Sequence, residues 1–384
     1  MPVKDELTSE QKLIADMFEE YCRTRITPNQ ERWISERKFP RSVMKDLSEM
    51  VFGAMLGEGS EKMDEVTLGL ISELMGKYEF PVPAFLTMHF AKLLPFIEDR
   101  ETRSGYIKRY LNGDLVICGA FTEPGHGSDS SSITTTADLQ GNKFTVNGEK
   151  AFVSSPGNAD VFVASVRTAK TAEDKQYAGI SLLLVDGTAK GVETYETENM
   201  ASVFKGDFGG IRFSDIAVPA GNIIGEMNRG FYLLMKILNV QRVHVALYSI
   251  GLAEASLDDA ISYARIRKTF GQPISRHQAV SFRLAEDWTR IEASRLLAFK
   301  ALRMQDNGEE NSAQCASVKW YGCENAFSTV SDCLQTFGAA GYVKSSPIER
   351  RFRAARGFLI GDGTPDIQKL IISRKLFGRE NAPQ

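Results

Sequence analysis

A chain of 384 residues, 43% hydrophobic and 25% charged with a net charge of -3, is long enough for two or three domains and reads as an ordinary water-soluble protein. So small a net charge gives no electrostatic reason to expect nucleic acid or an anionic membrane as a partner. Five cysteines without a CxxC spacing, and four histidines with none near a cysteine, argue against a metal or disulfide framework. With no leader-like apolar N-terminus and no apolar run of about 18 residues, the expected setting is a reduced cytoplasm without membrane attachment.

The first stretch reads as all-helical. Thr8 with Gln11 has the form of a capping box, and Leu13, Ile14, Met17, Phe18 and Tyr21 then share one face. Amphipathic runs follow at 41–51, 62–76, 84–97 and 101–111, with a short GEGS connection at 57–60. From Leu115 the pattern changes to alternation, with strands expected at 132–139, 143–153, 161–166, 180–185 and 210–218. Gly141-Asn142 reads as a hairpin turn, and the polar run TAKTAEDKQ at 168–176 as a solvated loop. After Pro219 the helical period returns at 230–239, 242–266, 277–305, 312–337 and 366–377. Long helices joined by short turns suggest an antiparallel bundle. The expected division is an α domain over 1–114, a β domain over 115–222 and a helical bundle over 223–384, an α+β chain.

Four stretches can carry chemistry. At 117–129, ICGAFTEPGHGSD, an apolar strand runs into a loop whose Gly125 and Gly127 lack Cβ atoms and whose Thr122 and Ser128 offer hydroxyls; an ordinary Pro-Gly connection has the same composition. In GEKAFVSSPGN, Phe152 and Ser154 stand two apart on one strand face, suited to a planar ligand or to plain sheet alternation. In RKTFGQPISRHQ, Arg267 suits a pyrophosphate and Gln278 a polar nucleotide edge, although a helix-ending turn accounts for the same residues. In IGDGTPDIQ, Thr364, Pro365 and Asp366 suit the start of a helix, and Asp362 between two glycines is either a reactive carboxylate or a second capping one.

Taken together, FTEPGHGSD, GEKAFVSSPGN, YARIRKTFGQPISRHQAVSFRLAE, LQTFGAAGY and GDGTPDIQKLIISR resemble the acyl-CoA dehydrogenase flavoproteins in order and spacing, over about residues 115–377 and with less support before. The resemblance implies an N-terminal helical domain, a central β-barrel-like domain and a C-terminal four-helix bundle. It implies FAD as cofactor, with Phe121, Thr122, Gly127, Ser128, Phe152 and Ser154 about the flavin. Arg267, Phe270, Gln278, Gln335 and Gly338 match contacts made to FAD across a subunit interface, and Thr364 and Asp366 match positions near its phosphates and ribose. Ser128, Asn239 and Arg242 match the acyl-thioester side, and Asp362 matches the catalytic base. A homo-oligomer, dimer or tetramer, and an electron-transferring flavoprotein or other acceptor are implied as partners.

Several positions depart from the family pattern. Asp362 stands where Glu is common, setting the carboxylate back by one bond, about 1.5 Å. Relatives with the base on the helix after the β domain carry it at the position of Gln241, which cannot ionise. Asn239 replaces a common carboxylate, Pro156 a common glycine and Asp366 a frequent glutamine, and the glycine-rich substrate-side loop of fatty-acid enzymes is missing. The expected reaction is α,β-dehydrogenation of an acyl thioester, with Asp362 taking the α-proton and hydride passing to flavin N5. A branched, cyclic or short acyl group fits the recessed base, carried by CoA or by a carrier protein. Two alternatives stay open: a nitroalkane-oxidase-like flavin oxidase, which also uses an aspartate base, and a non-redox flavin-containing binding protein. The basic run ERRFRAAR, the one feature favouring DNA, reads more simply as a subunit or carrier contact.

Overall fold

Thr8 forms the expected capping box: its hydroxyl accepts from the Gln11 amide at 3.1 Å, and Gln11 Oε1 accepts from the Thr8 amide at 3.0 Å. The helix that starts there is the first in a computed structural model that describes residues 7–57, 62–170, 177–378 and 380–383. Most of the 57–60 connection and of the 168–176 loop lies outside these residues. In chain order the helices are α1 Ser9–Tyr21, α2 Gln30–Ser35, α3 Ser42–Leu47, α4 Gly53–Met55, α5 Glu65–Lys77, α6 Val82–Phe90 and α7 Arg100–Leu111. Eight strands follow: β1 Ile117–Ala120, β2 Thr136–Gln140, β3 Lys143–Ser154, β4 Val161–Arg167, β5 Ile180–Asp186, β6 Val192–Glu196, β7 Phe208–Pro219 and β8 Ile223–Ile224. Then come α8 Gly230–Ile266, a small hairpin of β9 Lys268–Thr269 and β10 Gln272–Pro273, α9 Gln278–Asp306, α10 Ser312–Phe337, α11 Pro347–Phe358 and α12 Pro365–Phe377.

These elements gather into two compact units. The sheet unit comprises Gln30–Met63 and Pro81–Leu238; the helical unit comprises Met1–Asn29, Asp64–Phe80 and Asn239–Gln384.

In the sheet unit the strand order is β6-β7-β3-β2-β4-β5-β8, with β1 parallel to β4. The Gly141-Asn142 turn is present: Gln140 pairs with Lys143, and Gly141 has φ 61°. β4 and β5 are mainly apolar because they are buried along their length except at one end, and each also buries a serine, Ser165 or Ser181. β2 begins at Thr136 and not near 132, because the amides of Thr134 and Thr135 bond the Glu123 carboxylate at 2.7 and 2.9 Å. The edge strand β6 escaped the sequence reading. Between Lys150 and Val153, β3 carries one more residue than β7 opposite it, a bulge that turns both Lys150 and Ala151 inward and Phe152 outward. Gly209 faces this irregularity, and a Cβ there would lie 1.9 Å from the Tyr195 carbonyl oxygen.

In the helical unit, α10 packs against α9, α11 and α12, and α5 packs against α9 and α1. The backbones of α5 and α8 touch at Gly76, where a Cβ would meet the Tyr248 carbonyl oxygen at 1.9 Å. Arg295, only 1% exposed, is enclosed by Glu73 at 2.6 Å and by Glu254 and Glu292. One expectation changes. The helices read at 230–239 and 242–266 are one 37-residue helix. Its pattern broke in the sequence because Gln241, Arg242 and His244 are polar residues turned into buried surroundings. In the arginine run of α11, Arg350 and Arg351 pair with Glu79 at 2.6 and 2.9 Å, Arg351 also with Asp259 at 2.6 Å, and Arg353 with Glu349 at 2.8 Å.

Candidate active site

The sequence-derived site residues fall into two sets, one in each unit. In the sheet unit, Pro124 and Gly125 make a tight turn closed by Glu123 and His126, whose backbones exchange hydrogen bonds of 3.2 and 3.0 Å. Below the turn, Glu123 and Lys150 form a buried ion pair at 2.8 Å, with side chains 2% and 0% exposed. Lys150 Nζ also donates to the Phe121 carbonyl and to Ser165 Oγ, both at 3.3 Å, while the Ala151 amide donates to the Thr122 carbonyl at 2.9 Å. Burial by itself would push Glu123 up; the Lys150 charge and hydrogen bond, with donors from Thr135 and Thr134, override it and hold the carboxyl at about 2. Burial pushes Lys150 down to about 8 against the pull of Glu123.

Lys150 and the Ala151 amide thus fix the carbonyls of Phe121 and Thr122 respectively. Phe121 packs edge-on to Phe90 at 5.6 Å, so its ring serves the core as well as the loop. Ser128 is exposed and Thr122 half-buried. Neither Gly125 nor Gly127 has a positive φ, and a Cβ on either would meet nothing within 4 Å. The chain's own packing therefore does not demand glycine at either place. Phe152 sits on left-handed backbone, φ 55°, and is 61% exposed, with the half-buried Ser154 on the same face. A bulky aromatic held in that conformation is uncommon and marks a constrained position. A cleft of 1050 Å³ elsewhere in this unit, lined by Arg37, Arg41, Tyr195 and Lys205 among others, carries none of the expected site residues.

In the helical unit the centre is Asp362, half-buried and also left-handed, φ 56°. Three buried side chains hold its loop. Gln241 Nε2 on α8 donates to Asp362 Oδ2 at 3.2 Å. Gln368 Nε2 on α12 donates to the carbonyls of Asp362 and Gly363 at 3.1 and 3.0 Å. Lys319 Nζ on α10 donates to the carbonyl of Phe358 at 2.6 Å and more weakly to that of Gly363 at 3.5 Å. Burial pushes the Asp362 carboxyl above the ordinary carboxylate value, opposed by the charges of Lys319 and Arg242 and by the Gln241 hydrogen bond. Arg242 is buried, and Asn239 donates to Asn311 Oδ1 at 3.1 Å; among the described residues neither Arg242 Nε nor Asn239 Oδ1 has a hydrogen-bond partner. The helix expected after Thr364 begins at Pro365, but the Thr364 hydroxyl makes no cap hydrogen bond. Asp366 is exposed.

Arg267, Phe270, Gln278, Gln335 and Gly338 all lie at the surface. Phe270 and Gly271 form the two-residue turn of the β9–β10 hairpin with φ 49° and 80°, and Phe270 is 97% exposed. Gly338 ends α10 with φ 59°. Sequence reasoning missed Glu123, Lys150, Lys319 and Gln368. Glu123, Lys150 and Gln368 stood inside quoted motifs without a role given to them, and Lys319 read as an ordinary polar residue of a helix.

The chain thus runs helical, sheet, helical, with an exposed Phe152 on a strand bulge in one unit and Asp362 held by Gln241 in the other. The chain belongs to the acyl-CoA dehydrogenase family: models of its N-terminal, middle and C-terminal domains match residues 8–113, 118–216 and 228–377. It is 32% identical to the mitochondrial isobutyryl-CoA dehydrogenase of Dictyostelium discoideum, over 96% of this chain and 90% of that one. It is 36% identical to the caffeyl-CoA reductase-Etf complex subunit CarC of Acetobacterium woodii, over 71% of each. The solved acyl-CoA dehydrogenase of Geobacillus kaustophilus superposes with a TM-score of 0.90 at 28% identity, covering 96% of this chain and 98% of that one. The protein is accordingly an oxidoreductase of CH–CH groups that dehydrogenates acyl-CoA thioesters with FAD. The open space at Gly125 and Gly127 and the outward Phe152 fit that cofactor. Among the described residues, no helix is long and apolar enough to cross a membrane.

Proposed function

We propose that Asp362 is the base that removes the α-proton of a short, branched or cyclic acyl thioester. The observation carrying this reading is the Gln241–Asp362 hydrogen bond: two positions 121 residues apart, at which relatives carry the base, meet here, and one of them alone can ionise. FAD, when bound, would supply the acceptor for the β-hydrogen, taken as hydride. The proton goes from the α-carbon to an Asp362 oxygen and the hydride leaves the β-carbon, so an α,β-double bond remains. Burial that raises the Asp362 carboxyl makes the carboxylate a stronger proton acceptor. The amide of Asp362, by family analogy, donates to the thioester carbonyl as enolate charge develops. On the flavin side Thr122 and Ser154 would offer hydroxyls to the cofactor and the exposed Phe152 an aromatic surface, with Phe121, Gly127 and Ser128 of the same unit contributing to its site. Thr364 and Asp366 serve the phosphate and ribose end; Ser128, Asn239 and Arg242 serve the thioester.

The carrier is CoA, with a carrier protein's phosphopantetheine as the alternative. Likeness to a branched short-chain acyl-CoA dehydrogenase supports the substrate class, and likeness to a subunit of an Etf complex supports an electron-transferring flavoprotein as acceptor. A homo-oligomer is supported by the exposed Ile266, Phe270 and Tyr342, at 76%, 97% and 80%; Arg267, Phe270, Gln278, Gln335 and Gly338 then contact FAD of a neighbouring copy. The test is anaerobic titration of the yellow enzyme with short, branched and cyclic acyl-CoAs and acyl-carrier proteins, following flavin bleaching. Wild type bleaches with one of these classes and Asp362→Asn keeps FAD but does not bleach. Bleaching by Asp362→Asn at the wild-type rate removes Asp362 as base, and fast reoxidation of reduced wild type by oxygen favours an oxidase.

A further inference from the structure

Asp362 reaches its surroundings through a short side chain on backbone that the protein fixes independently. Its carbonyl and that of Gly363 are tied by Gln368, and Lys319 holds the Phe358 and Gly363 carbonyls at either end of the loop. With the backbone fixed at φ 56°, the direction of Cβ is set, and only the two side-chain torsions remain to aim the carboxylate. The Gln241 amide is the side-chain hydrogen bond that chooses between them. Gln241 is 2% exposed and its Oε1 has no partner among the described residues, so the amide is buried at the expense of one unsatisfied acceptor.

We propose that Gln241 is a positioning residue: it pins Asp362 Oδ2 and so leaves Oδ1 to the α-hydrogen of the acyl group. This rests on Asp362 being the base. A neutral donor matters as much as the aim. An ammonium or guanidinium in the same place would form an ion pair and weaken the carboxylate as a base, whereas an amide orients it and leaves most of its proton affinity. The other charged or titratable groups acting on Asp362 are Arg242 on α8 and Lys319 and Cys323 on α10; Lys319 directs its protons to backbone carbonyls.

The test follows the carboxyl of Asp362 directly. In holoenzyme labelled with ¹³C at aspartate carboxyls, the resonance missing from Asp362→Asn is titrated in wild type, Gln241→Met and Gln241→Glu. Methionine keeps the volume without the donor, and the midpoint should rise by about one pH unit. Glutamate creates a carboxyl pair sharing a proton and should raise it further. FAD content and near-UV dichroism establish that each variant is folded, and Gln241→Glu serves if the methionine variant is not. With the thioester that bleaches wild type, Gln241→Met should lose about tenfold in kcat with KM little changed. A midpoint within 0.2 units of wild type (about the resolution of such a titration) in a folded variant overturns the proposal. Bleaching by Asp362→Asn instead defeats the base reading and leaves the measured Gln241–Asp362 coupling standing.

Discussion

Two carboxylates in this chain, the buried Glu123 and the half-buried Asp362, are treated in opposite ways. Glu123 is closed off by a lysine and by the donors of Thr134 and Thr135, and its charge is balanced where it lies. Asp362 has a lysine nearby too, but Lys319 bonds backbone carbonyls, and the carboxylate receives a neutral amide. The first arrangement makes a rigid floor beneath the turn at Pro124-Gly125, beside the exposed Phe152 of β3. The second makes a rigid frame around a group that must still take a proton. A matched ion pair fixes geometry by removing reactivity, and a neutral hydrogen bond fixes it while leaving reactivity in place.

Breaking the floor should cost most. Lys150→Met leaves Glu123 buried without its cation, and folding stability should fall by about 3–5 kcal/mol in chemical unfolding, with FAD lost early. Adding Glu123→Gln should recover part of that; no recovery would mean that Lys150 acts through the Phe121 carbonyl and not through the pair. Breaking the frame should cost less stability and more activity. Lys319→Met frees the Phe358 and Gly363 carbonyls, for a loss of about 1–3 kcal/mol, and should slow flavin bleaching while FAD stays bound.

The pH dependence of unfolding separates carboxylates whose partners outweigh burial from those in which burial prevails. Glu123, held at about 2, stabilises the fold above the ordinary glutamate range, and that contribution is lost as pH falls toward 2. A third carboxylate, Asp287, behaves oppositely: burial first and then the neighbouring Asp332 push it up to about 7, against Arg290 and Thr329. The folded state then holds a proton that the unfolded state has released, so stability should decline as pH rises from about 4 to about 7. Asp287→Asn should flatten that decline in denaturant titrations at pH 5 and pH 8; an unchanged slope would assign it to other groups. The smallest effect is expected where the same kind of bond is exposed: Thr8→Ala removes one half of the capping box and should cost about 1 kcal/mol, read as a small shift in melting temperature.

Local rules were enough for much of the fold. The capping box at Thr8, the Gly141-Asn142 hairpin, the change to alternation near Leu115 and the helix start at Pro365 are decided by residues within one or two turns of each other, and each is present. The motifs also made the family legible, along with Asp362 as the carboxylate to examine. Tertiary structure decided what depends on distant partners: Glu123 with Lys150 across 27 residues, Gln241 with Asp362 across 121, and Lys319 with carbonyls 39 and 44 residues away. It also decided the left-handed backbones of Phe152 and Asp362, which no propensity of Phe or Asp demands, and the continuity of α8 through its polar stretch. A side chain's reach and a backbone's periodicity are written locally; which buried charge finds a partner depends on what the rest of the chain brings beside it.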